Sequence, residues 1–232
     1  MLAKLKNILK SGRTHLQDAV PITLGQEFHA YVSSIKNNIA TIKSTLNYLK
    51  KLDLGKNAIG TGINTYPGYA KIILRKLKKV NKIDWEEARD PIYSTQNVTM
   101  FLEVSGALKL LAVDLTKMAN DLRLLSSGPN TGLREIKLPA IEAGSSMMPG
   151  KINPSIAEML NMVCFQVIGN DETISLCAQA GQLELNVTTP LIAKNLIESL
   201  TLLTNGIKTF DEKCVKGIRA NKEICQYYFA TP

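Results

Sequence analysis

Hydrophobic positions between Phe101 and Leu125 fall in alternating steps of three and four: Phe101, Val104, Leu108, Leu111, Leu115, Met118, Leu122 and Leu125. That rhythm, held for more than three heptads, is the seam of a helix packed against others in coiled-coil fashion. Leu24, Phe28, Tyr31 and Ile35, followed by Ile42, Leu46 and Leu49, predict a second long helix, with the rhythm slipping near Asn38. Leu196, Leu200, Leu203, Ile207 and Phe210 predict another. The stretch MLNMVCFQVIGN, residues 159–170, carries no charge on any face and is expected at the centre of a bundle.

Punctuation between these segments agrees with helices. Asn153-Pro154 reads as an N-cap followed by proline in the first turn, and Thr189-Pro190 as a second start or a kink. Glycine and proline gather in GTGINTYPG (60–68), SSGPNTG (126–132) and GSSMMPG (144–150). Strand signals are nearly absent. The opening MLAKLKNILKSG reads as the closing turns of a helix, with Gly12 beyond its end, and CQYYFATP stops just after another helical start. The pattern therefore predicts an all-α, long-helix bundle. Residues 1–232 are expected to form one helical-bundle domain, incomplete at both ends and part of a longer chain.

Composition changes this picture little. The chain has 232 residues, of which 45% are hydrophobic and 21% charged, ordinary values for a globular protein. No segment reads as a signal peptide, and no uncharged apolar run approaches the ~18 residues of a membrane span. Cys164, Cys177, Cys214 and Cys225 show no CxxC spacing and sit in helical patterns. They read as reduced thiols of a cytoplasmic protein, with neither a disulfide framework nor a metal site. The net charge of +8 admits anionic partners. Its densest block, RKLKKVNK (75–82), lacks interleaved aromatics and reads as the solvated end of a short helix; neither nucleic acid nor a membrane is expected as a partner.

Candidate chemistry concentrates in GSSMMPGKINPS (144–155). Each part has an ordinary reading by itself: Gly-Ser-Ser as a linker, Asn-Pro as a helix start, His15 and His29 as surface residues, Glu158 as a first-turn carboxylate favoured by the helix dipole. Two segments together carry more. RTHLQDAVPITLGQE (13–27) and GSSMMPGKINPS resemble the signatures of the fumarase/aspartase superfamily, whose loop pattern is GSSxMxxKxNP. The likeness continues through GTGIN (60–64), ANDLRLLSSGP (119–129), VIGND (167–171), AGQLELNV (180–187) and GIRANKE (217–223). Within the superfamily, VCFQVIGND and AGQLELNV look closer to the aspartate-specific ammonia-lyases than to class II fumarases.

The resemblance implies a β-elimination that turns L-aspartate into fumarate and ammonia, with the class II fumarate hydratase reaction as the alternative. It implies Ser145 as catalytic base, its alkoxide stabilised by a backbone nest that Gly144 and Gly150 permit, and Ser146 beside it as a donor. Lys151 and Asn153 match the substrate-binding lysine and asparagine. Thr14 and His15 match a pair that contacts the substrate carboxylate, and Glu158 matches the glutamate that pairs with this histidine. Met147 and Met148 are expected to pack the loop or wall the pocket. No cofactor or metal is implied; the partners are a small dicarboxylate and further copies of the chain, a homotetramer whose sites are shared between subunits. The family also draws substrate ligands from a region preceding the segment matched here. The chain alone is therefore expected to be inactive, and a non-catalytic, oligomerising helical fragment is the competing reading. Loop 144–150, with two glycines, is expected to be poorly ordered or open without substrate.

Overall fold

A computed structural model describes residues 5–141, 147–148 and 150–230. Four helices dominate: α1 (Leu24–Leu49), α4 (Thr99–Leu125), α5 (Ser155–Gln179) and α6 (Thr189–Lys213). Shorter helices are α2 (Tyr69–Asn81), α3 (Pro91–Gln96) and α7 (Lys222–Ala230). A 3-10 turn (Val215–Gly217) and three two-stranded ladders accompany them: antiparallel β1 (Leu9–Thr14) with β2 (Gln17–Thr23), parallel β3 (Lys51–Leu52) with β4 (Glu86–Glu87), and antiparallel β5 (Ile136–Lys137) with β6 (Arg219–Ala220). The all-α bundle read from the sequence is the architecture found.

The chain forms two compact units. The first comprises Met1–Asn37, Leu111–Phe165 and Leu202–Pro232. Its core gathers Leu24 and Phe28 of α1, Leu115 and Leu122 of α4, Leu160 and Cys164 of α5, and Leu203 and Phe210 of α6. The second comprises Asn38–Leu110 and Gln166–Thr201. There Val104 and Leu108 of α4, Val167 and Ile174 of α5, and Ile192 and Leu196 of α6 are buried. Asp90 caps α3 by accepting the Ile92 and Tyr93 N–H groups at 3.0 Å each, the role a short acceptor side chain serves at a helix start.

Three expectations need correction. The helix expected over residues 1–12 does not extend through them: among the described residues there only Leu5 is helical, and Leu9 begins a strand. The reason lies in which side chains are buried. Lys10 and Ser11 face inward while Leu9 is exposed, so the strand lacks the apolar alternation that marks one. Gly12 is no helix terminator; a Cβ there would meet the Val20 carbonyl oxygen at 2.6 Å.

The α1 seam does not slip at Asn38. It continues through buried Asn38 and Thr45, leaving Leu46 exposed, and in α6 Asn195 and Ser199 are buried where Leu200 was expected. Finally, the charge-free stretch 159–170 is buried only on one face. Leu160, Asn161, Cys164 and Val167 point inward, whereas Met162 and Phe165 are 64% and 58% exposed. Within one chain, the neighbouring helices cover a single stripe of α5.

Candidate active site

Thr14 and His15 sit where β1 turns into β2. Thr14 pairs with Gln17, so His15 and Leu16 form a two-residue loop, with φ of 54° and 61°. Two successive left-handed residues make the hairpin turn that suits strand twist, a place usually taken by Asn-Gly. A non-glycine residue there costs ~1–2 kcal/mol, so this turn does not hold itself; the strands below must. His15 and Thr14 are both exposed.

What holds the hairpin is charge. Glu135, wholly buried, meets Lys10 Nζ at 2.8 Å and Arg13 Nη1 at 2.7 Å, and Lys10 also meets Glu27 at 3.0 Å. Arg13 stacks on the Tyr228 ring of α7, 5.6 Å from its centroid. Reading the sequence missed this cluster, because Lys10 and Glu135 lie in distant segments and no local pattern joins them.

The other matched residues gather ahead of α5 in the same unit. Lys151 and Asn153 are exposed, and the Lys151 N–H donates to the Met148 carbonyl at 3.1 Å. Asn153 and Pro154 border a shallow pocket shared with Pro139, Ile141, Ala157 and Cys214. Met147 and Met148 are exposed. Ala157 and Glu158 donate their N–H groups to the Pro154 carbonyl, which places Glu158 in the first turn of α5. Its carboxylate pairs with Arg123 Nη2 at 3.5 Å, a partner within the ANDLRLLSSGP segment. Among the described residues, no hydrogen bond or ion pair joins Glu158 to His15. Ser145 and Ser146, and most of loop 144–150, lie outside the described residues.

Other polar groups are structural. Asp171 accepts from Ser105 Oγ at 2.7 Å and Lys109 Nζ at 2.9 Å, an arrangement that holds the lysine above its ordinary range. The four cysteines are free and buried; burial pushes the Cys214 and Cys225 thiols up to about 11. Among the described residues, no cluster of three or more His, Cys, Asp or Glu side chains could hold a metal, and no helix is long and apolar enough to cross a membrane.

The long-helix bundle thus carries a lysine and an asparagine ahead of a helix start and an exposed Thr-His turn. The Lyase family model matches residues 3–169, and the chain belongs to that family, within the fumarase/aspartase superfamily. Aspartate ammonia-lyase of Escherichia coli (strain K12) is 49% identical over 225 residues, covering 97% of this chain and 47% of that protein. The crystal structure of fumarate lyase:delta crystallin from Brucella melitensis matches with a TM-score of 0.95 and 44% identity, over 98% of this chain and 49% of that one. Recombinant class II fumarase from Schistosoma mansoni matches with a TM-score of 0.95 and 40% identity, over 98% and 50%. The chain thus spans about half the length of the relatives it matches.

Proposed function

We propose that this chain carries the base loop, the carboxylate-binding residues and the Thr-His hairpin of an aspartate ammonia-lyase. The observation that carries the reading is the 49% identity to aspartate ammonia-lyases across nearly the whole chain. In this reading Ser145 takes a proton from the carbon beside one carboxylate of L-aspartate. The electron pair spreads into that carboxylate as a doubly charged aci form. Ammonia then leaves the neighbouring carbon and the double bond of fumarate forms. Preorganised donors for the growing charge lower the barrier most, and Ser146 is placed in that role.

Lys151 and Asn153 hold a carboxylate, the asparagine at a helix start where anions are favoured. Thr14 and His15 reach a substrate held by Lys151 and Asn153 of another subunit, and the Glu158 of that other subunit completes the histidine pair. Exposed Met162, Phe165 and Leu176 on α5 and Leu110 and Val113 on α4 support assembly into homo-oligomers, a tetramer in this reading, since such apolar surface is normally covered. Four free thiols support a reducing compartment, the cytoplasm.

The test is a chimera in which this chain replaces the 225 aligned residues of the Escherichia coli enzyme. It should release fumarate and ammonia from L-aspartate and hydrate fumarate negligibly. The likeness to class II fumarase makes hydration the second reading; L-malate formed from fumarate without turnover of L-aspartate would select it. Ser145→Ala should cut turnover at least ~10²-fold with helical content unchanged.

A further inference from the structure

Glu135 and Lys10 are 0% and 2% exposed, so neither can touch a ligand arriving from solvent. Each Glu135 oxygen takes a different cation, Lys10 on Oε2 and Arg13 on Oε1. With Glu27 on Lys10, the four charges cancel. Both cations belong to β1, and Arg13 immediately precedes Thr14-His15.

The anchor end of this link is fixed. The Glu135 carbonyl accepts the Asn221 N–H at 2.8 Å and the Cys225 thiol at 3.6 Å, and the next residue, Ile136, pairs with Ala220. The turn end is not fixed by itself: His15 and Leu16 are both left-handed and β2 is largely exposed.

We propose that Glu135 is a positioning residue that sets the Thr14-His15 turn through Lys10 and Arg13, resting on the reading above that this turn grips the substrate carboxylate. Glu135→Gln keeps the shape and leaves one uncancelled buried positive charge. Arg13→Gln is the companion of opposite sign: it leaves one carboxylate charge uncancelled but keeps the Lys10 link to Glu135 and Glu27.

In the 232-residue chain without substrate, Glu135→Gln should speed amide exchange of residues 12–20 about tenfold or more while α4 and α5 keep their protection. Only two histidines are present, so the His15 ring resonance should shift and that of His29 should not. In the chimera, kcat/KM for L-aspartate should fall ~10–100-fold, chiefly through KM. Added to His15→Ala, the same change should cost under about twofold more, because coupled residues are not additive. If Glu135→Gln fails to fold, Arg13→Gln should show the same pattern.

Unchanged exchange at the turn, or a full additive loss on His15→Ala, would overturn the proposal. An unsubstituted chimera that leaves L-aspartate intact would sink the lyase reading; exchange and the histidine resonance would still decide the role of Glu135.

Discussion

Tyr31 shows how much one hydroxyl can matter in the first unit. Its O–H donates to Asp121 Oδ2 at 2.7 Å, and burial, then this bond, lifts the phenol well above the ordinary tyrosine range. A raised folded-state value stabilises the fold fully below the unfolded value, about 10, and that contribution is lost as pH rises beyond it. Tyr31→Phe should therefore lower stability by about 1 kcal/mol at neutral pH and flatten its decline above pH ~10; thermal melts at both pH values check this. The thiols give a second expectation. Buried, and raised at Cys164, Cys214 and Cys225, they should resist iodoacetamide in the folded chain and all react after denaturation. Residues of the candidate site could be named from the sequence because each lies in a short ordered motif. Lys10, Glu135 and the Arg123 partner of Glu158 were not, since ion pairs between distant segments leave no local signature.

Among the elements, α4 was the most legible: Val104, Leu108, Leu115, Leu122 and Leu125 of its seam are buried, and Phe101, Leu111 and Met118 are half-buried. Leu122→Ala should cost ~2–5 kcal/mol by denaturant titration, the range for truncating a buried leucine. In α1 and α6 the seam passes through Asn38, Thr45, Asn195 and Ser199, polar residues that a hydrophobic pattern discounts. They are tolerated because they are bonded: Asn195 Nδ2 donates to the Leu191 carbonyl and Ser199 Oγ to the Asn195 carbonyl, both at 2.8 Å. Thr45 Oγ1 likewise donates to the Ile42 carbonyl. The β1–β2 hairpin was illegible for the same reason, since the buried residues of β1 are lysine and serine. Gly12→Ala should open it, costing ~1–3 kcal/mol as overpacking does, and limited proteolysis should cut near Leu16 while α4 stays intact.

For the whole molecule, the charge-free α5 face shows what hydropathy alone conveys. It marked a surface that avoids water, without saying whether the cover comes from this chain or another copy. Sedimentation of the 232-residue chain should show association, and Met162→Glu with Phe165→Glu should shift it toward monomer with unchanged circular dichroism. A chain is also made in one direction. At about 5–20 residues per second, Glu135 leaves the ribosome on the order of ten seconds after Lys10 and Arg13, and Tyr228 later still. Through that interval Lys10 has only Glu27 and Arg13 lacks its carboxylate, so the Thr14-His15 turn is held by the β1–β2 ladder without its buried anchor. The strand that carries the turn is made well before the carboxylate that locks it.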